Sequence, residues 1–245
     1  MAKTFDSMRE QVLAEIAIQC PHPYHKRRHT EEVIERVTAL ASYVRPPLGG
    51  QDMELVQLAA LFHDYGHCGK TIRQTCAGAS RTDLSNEEFA AEEAQRRLSG
   101  DLTPEQLDMV KNLILATSFG QADPAFAYHR SYKPVTLLEK LLAFADIASF
   151  QKPFEEWMDE NLRVLQEADP ATIPATFEAW LKTRHGFLGY CRAKLLELEP
   201  NIDPPHAINL RSKLDMLCFD LEDSTEPFLA RFEAVRDERL AAVQP

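Results

Sequence analysis

Apolar residues recur along this chain at spacings of three and four, the period of a helix buried on one face. Phe5, Met8, Val12 and Ile16 form a first stripe, which predicts a helix ending before Pro21-His22-Pro23. Val33, Val37, Leu40 and Val44 form a second, stopped by Pro46-Pro47 and Gly49-Gly50. Asp52 precedes an apolar run from Leu55 to Phe62, which leads into His63-Asp64 and stops near Gly66. Two capping boxes follow. Ser85-Asn86-Glu87-Glu88 opens a helix that runs to Gly100, and Thr103-Pro104-Glu105-Gln106 opens one carrying Leu107, Val110, Ile114 and Thr117. Val135, Leu138, Leu142, Ala145 and Ser149 predict a further helix, closed by Pro153. Stripes at Phe154, Trp157 and Leu165, then at Phe177, Trp180, Phe187, Cys191 and Leu195, predict two more, and another pair follows Pro205 and Pro227. No alternating β-branched run is long enough for a strand. The expected fold is all-α, a helical bundle.

Two segments break the pattern, at about 65–85 and 118–134, both rich in turn-forming residues. Long irregular stretches in a compact fold tend to carry function. No flexible linker separates the helices after about 150 from those before, so they are expected to extend the same core.

Composition narrows the function classes. Of 245 residues, 44% are hydrophobic, enough to bury a sizeable core and to exclude disorder for most of the chain. Lys and Arg number 27 against 38 Asp and Glu, a net charge of -11. A nucleic-acid polymer needs a basic surface and is not an expected partner. A small anionic substrate remains open, because one local basic patch suffices for it. No window reaches the roughly 18 to 20 unbroken apolar residues of a membrane span. Asp6, Arg9, Glu10 and Glu15 interrupt the start where a signal peptide would be apolar, so neither a membrane nor secretion is expected. The five cysteines, Cys20, Cys68, Cys76, Cys191 and Cys218, are scattered and include no C-x-x-C pair, which fits reduced thiols and a cytoplasmic location.

Three segments concentrate chemistry: Tyr24-His25-Lys26-Arg27-Arg28-His29, Leu61-Phe62-His63-Asp64-Tyr65-Gly66-His67, and Phe144-Ala145-Asp146. A His-Asp doublet alone means little, since this composition yields about 0.5 of them by chance. Its position counts for more. The doublet ends an apolar helix, and Asp146 follows Leu142 by four residues, beside the apolar stripe of its own helix. Polar groups pointed at a core are costly unless satisfied, and buried carboxylates are rare without a cation. The plain alternative is a buried hydrogen-bonded cluster. Two imidazoles and two carboxylates, His29, His63, Asp64 and Asp146, suit a divalent first-row metal such as Mn, Fe, Co, Ni or Zn. Such a set leaves room for water and a substrate oxygen, as hydrolysis requires. His67 follows the doublet by a turn and is a candidate for a second metal or for substrate phosphate; the alternative is helix capping. Arg28, Lys70 and Arg73 stand near the motifs in an acidic chain and are candidate phosphate contacts. Arg184 and His185 are expected to be structural, and Trp157 and Trp180 to be core.

The order His29, His63-Asp64, Asp146 resembles the HD-domain metal-dependent phosphohydrolase superfamily, whose pattern is a His, a His-Asp doublet and a distal Asp. The resemblance covers about residues 20 to 150. It implies one HD-type helical unit over 1–245, with a metal-binding core at about 20–150 and a helical extension at about 151–245. It further implies a metal between the helices and hydrolysis of a phosphate ester, of a nucleotide or related small molecule, by a metal-activated water at Asp64. Tyr24-His25-x-x-x-His29 is similar to the opening motif of cyclic-nucleotide phosphodiesterases, where the first His protonates the leaving oxygen; His25 would inherit that role. Lys26 stands where that motif usually has Asn, and the Gly-Tyr-Pro signature of cyclic-di-nucleotide phosphodiesterases is absent. Two other classes stay open. One is a di-iron oxygenase with the same ligand pattern, its second ligand set drawn from His67 with His129 or Glu88. The other is a non-catalytic nucleotide sensor.

Overall fold

A computed structural model describes residues 5–19, 22–67, 85–118, 132–168, 170–223 and 225–242. Helix α1 spans Phe5–Gln19, α2 Arg27–Ser42 and α3 Gly50–Phe62. Helices α4 (Asn86–Leu98) and α5 (Pro104–Leu115) form a hairpin. Helix α6 (Leu137–Ile147) runs into a 3-10 turn at Ala148–Gln151. Helices α7 (Phe154–Glu167), α8 (Phe177–Leu198), α9 (Pro204–Asp223) and α10 (Glu226–Ala241) complete the chain. No strand forms among the described residues; Val44 and Ile202 make an isolated antiparallel bridge. The fold is all-α, and among the described residues no helix is long and apolar enough to cross a membrane.

The caps act where the sequence puts them. Ser85 and Glu88 exchange side-chain bonds with each other's backbone N–H, as do Thr103 and Gln106. A third box was not expected: Thr136 and Glu139 do the same at the start of α6. It sets that helix to begin at Leu137, so Val135 lies outside it and is 74% exposed instead of joining the stripe. Leu141, Leu142 and Ala145 carry the buried face.

Helix α2 packs against both α3 and α6, and α5 lies on α3. These contacts bury Val33, Val37, Leu40, Leu61, Phe62 and Leu142 almost completely. Helix α8 crosses α6 and is flanked by α9, while α7 packs on α10. Trp157 and Trp180 are both core residues, at 0% and 1% exposed. One glycine is dictated by this packing. Gly66 has φ of +79°, and a Cβ there would run into the Phe89 ring. The turn after α3 is therefore drawn tight against α4, which fixes the position of the residues just before it.

Candidate metal centre

Three helix ends meet at one point. His29 lies in the first turn of α2, His63 caps the C-terminus of α3 with Asp64 following, and Asp146 is the penultimate residue of α6. His29 and His63 are 4% and 1% exposed. His29 Nε2 is 3.3 Å from Asp64 Oδ2, 3.3 Å from Asp146 Oδ1 and 3.4 Å from His63 Nε2. His63 Nε2 is in turn 3.2 Å from Asp64 Oδ2 and 3.6 Å from Asp146 Oδ1. The His63 ring is locked because Nδ1–H donates to the Ala60 carbonyl at 2.7 Å, which turns Nε2 toward the cluster.

The electrostatics follow from burial and crowding. Burial opposes charge on His63, but the Asp64 and Asp146 carboxylates outweigh it and raise the imidazole to about 9. Burial also opposes charge on Asp64, yet the His63 and His25 imidazoles hold it well below the usual carboxylate range. Asp146 is lowered too, chiefly by His29 acting against burial. For His29 burial wins and its pKa falls. The cluster thus keeps both carboxylates ionised and His29 a neutral donor.

These residues fit a metal ion. Adjacent donor atoms held about 2.0–2.2 Å from one centre lie roughly 2.8–3.6 Å apart for octahedral or tetrahedral geometry, and the distances above are of that size. Asp64 Oδ2 is buried with no hydrogen-bond partner among the described residues, a cost that a cation removes. His29, His63 and Asp64 also offer donor atoms within 4.8 Å of one another.

The family model of the HD domain matches residues 27–169. The chain belongs to the HD-domain family. No curated protein matches it. The HD match runs from the start of α2 through α7, so α8, α9 and α10 lie beyond it. Membership makes the chain one of a superfamily of metal-dependent hydrolases, and its His and Asp residues form groups able to hold a metal.

Around the HD cluster the remaining candidates divide. His25 is not helical, because α2 starts at Arg27 with exposed Lys26 as an N-cap that makes no side-chain bond. Its ring still lies 5.6 Å from that of His29. Its position comes from Glu167, the last residue of α7. The Glu167 carboxylate accepts from the backbone N–H of Tyr24 and, at 3.0 Å, of His25, and its other oxygen pairs with His25 Nδ1. Burial opposes charge on His25, but Asp64, Glu167 and Asp146 raise its pKa. His67 stacks on His25, with ring centroids 3.9 Å apart and 11° between planes. Its Nδ1 lies 3.6 Å from Asp64 Oδ1 and 3.1 Å from Asn86 Nδ2. His25, His67 and Glu167 make a second group with donor atoms within 4.8 Å.

Arg28 does not join this assembly. Its guanidinium turns outward to Glu32 at 2.9 Å, a helical i,i+4 pair, and 65% of its side chain is exposed. Glu88 is occupied as the capping-box acceptor of the Ser85 N–H at 2.7 Å. Lys70, Arg73 and His129 lie outside the described residues.

A cavity of about 620 Å³ opens on the cluster and reaches His25, His67 and Glu87. One of its residues revises the sequence reading. Arg184 lines the cavity, with Nη1 donating to Asn161 Oδ1 at 2.6 Å, and is not a remote structural residue. His185 does behave as structural, with Nδ1 3.2 Å from the Leu181 carbonyl oxygen. Arg36 anchors the end of α6, donating to the Ala145 and Asp146 carbonyls at 2.7 and 3.3 Å and so holding Asp146 in place.

Proposed function

We propose that the protein hydrolyses a phosphate ester of a nucleotide or related small molecule, with a divalent transition metal held by His29, His63, Asp64 and Asp146. The observation that carries this is the convergence of three helix ends on the floor of an open cavity, where His29 and His63 each lie 3.2–3.6 Å from one carboxylate oxygen of Asp64 and one of Asp146. An ion there supplies the Lewis acidity that lowers the pKa of a water and polarises a phosphoryl oxygen. The chain's own residues do the rest. Asp64 turns Oδ2 toward the cluster and Oδ1 toward His67, so its carboxylate orients the attacking water while His67 faces the phosphate. His25, kept protonated by Glu167, donates its Nε2 proton to the departing oxygen. Lys70 and Arg73 follow the doublet in sequence and contact the phosphate; Arg28 is not included. Scattered cysteines without a C-x-x-C pair accord with a reducing, cytoplasmic setting.

The test is a panel of phosphomonoesters, diesters and nucleoside triphosphates assayed with added Mn, alongside elemental analysis. Asp64→Ala and Asp146→Ala are expected to lose metal and activity together, because either leaves excess positive charge in a buried site. Full metal content in either variant would overturn the ligand assignment. A second reading draws on the His25, His67 and Glu167 donor group. Two irons per chain, with oxygen consumed and no phosphate released, would favour an oxygenase.

A further inference from the structure

The stretch of cavity wall formed by Glu160, Val164, Arg184 and Phe187 has no part in the chemistry above, and it carries an unsatisfied group. Glu160, on α7, lines the cavity and is only 5% exposed. One carboxylate oxygen pairs with Lys152, while Oε2 is buried with no hydrogen-bond partner among the described residues. A buried carboxylate oxygen left unpaired costs about 1–3 kcal/mol, more when charged. Something that binds here removes that cost. Lys152 pairs with Glu32 as well, at 2.6 Å, but Arg28 and Arg36 also serve Glu32, so cations already meet both carboxylates and the missing partner is a neutral N–H or O–H and not a further cation.

The neighbours say what else the partner carries. Asn161, next to Glu160, is fixed at both ends: Nδ2 donates to the Trp157 carbonyl at 2.7 Å, and Oδ1 accepts from Arg184. Arg184 Nε also donates to Thr183 Oγ1 at 3.2 Å, so the guanidinium is held as a preset donor at the cavity wall. Val164 follows Glu160 by one helical turn, and Phe187 follows Arg184 by one; with Ile147 they give the same wall an apolar face.

We propose that Glu160, Arg184 and Phe187 form the subsite that selects the substrate: a nucleobase, flat against Phe187, giving a ring N–H to Glu160 and offering a carbonyl to Arg184. An inosine or guanosine phosphate meets this description, and so does a uridine phosphate. A sugar phosphate lacks the ring, and a purine without N–H or carbonyl lacks the hydrogen bonds. This assignment rests on the phosphate-ester reading for its reaction, but not for its binding.

Binding is therefore the test, measured by calorimetry on chelator-treated protein, apart from turnover. Inosine 5′-monophosphate is expected to bind at least 10-fold more tightly than ribose 5-phosphate or purine riboside 5′-monophosphate, the size of one or two hydrogen bonds to charged groups. Glu160→Gln and Arg184→Met should each cut that preference about 10-fold and leave ribose 5-phosphate binding unchanged. Equal binding of all three ligands by the unaltered protein overturns the subsite whatever the variants do. The selective pattern in a protein that hydrolyses no phosphate ester would leave the subsite standing and remove the hydrolase reading. Hydrolysis without base preference would do the reverse.

Discussion

Glu167→Gln isolates the proton donor from the metal ligands. The wild-type carboxylate accepts from His25 Nδ1, so the imidazolium carries its second proton on Nε2, the proton proposed to pass to a substrate oxygen. The amide is nearly isosteric and keeps one oxygen for the backbone N–H groups of Tyr24 and His25. It also places an NH₂ opposite Nδ1, or turns its oxygen there at the expense of the backbone. Either way the imidazolium loses a charged partner. Glu167 is only 7% exposed in its side chain, so little screening dilutes the loss. A hydrogen bond to a charged group is worth about 1.5–3 kcal/mol, which is about 1–2 pK units. His25 starts raised above 6.5, so the variant moves it down.

The sign is definite: the high-pH limb of the kcat profile, where His25 loses its proton, should shift to lower pH by about 1–2 units. Above that limb the rate should fall about 10- to 100-fold for an alkyl ester. It should change little for a nitrophenyl ester, whose leaving group needs no proton. Metal content should stay at the wild-type level, because Glu167 contacts none of the four proposed ligands directly. Steady-state kinetics from pH 5 to 10 (a range of about five units) on both esters, with elemental analysis, measures all three. A limb that does not move, or an equal loss on both esters, would refute the role given to His25 and Glu167.

Two further expectations concern the scaffold behind the site. Gly66→Ala should destabilise the protein by about 2–4 kcal/mol in urea unfolding, since a left-handed backbone costs about 1–2 and the collision with Phe89 a similar amount; a change under about 0.5 kcal/mol would contradict the packing of Gly66 on Phe89. Glu15 accepts from Arg97 at 2.6 Å and from the Tyr65 hydroxyl at 2.7 Å, which tie α1 to the turn after Asp64 and lower its carboxyl from 4.5 to about 2. A depressed carboxyl stabilises the fold above its unfolded value, so up to about 3 kcal/mol should be lost as pH falls from 4.5 toward 2. Glu15→Gln should flatten that fall in acid-unfolding curves, and an unchanged curve would show the pair to be inert.

The four residues of the proposed metal site were legible because each carries a local mark: a ligand type at the end of an apolar stripe, in a fixed order. His29, His63, Asp64 and Asp146 need no knowledge of which helices touch. The start of α6 was misread for a local reason as well, since Thr136 and Glu139 form a capping box that overrides the apolar Val135. The partner of His25 was harder, because Glu167 lies 142 residues away and periodicity does not say which helix ends meet. Even so, a carboxylate in the last turn of a helix faces the negative end of the dipole and asks for a cation.

The α7–α8 wall yields to the reasoning that picked out Asp146, applied further along the chain. Asp146 stood out because it follows Leu142 by one turn on a buried face. Asn161 stands one turn after Trp157 and one turn before Leu165, both core residues. Arg184 stands one turn after Trp180 and one turn before Leu188, again both core. Each is a polar group set into an apolar stripe, where it is costly unless paired. Pairing the two with each other resolves both anomalies at once, at 2.6 Å across the helices. Glu160 is the exception, because it lies beside the stripe instead of in it. Its burial follows from the Ala148–Gln151 turn and Lys152 closing over α7, a tertiary fact that no window of sequence contains. The residues that hold a metal were thus readable one helix at a time, while those proposed to choose the substrate depend on how α7 and α8 face one another.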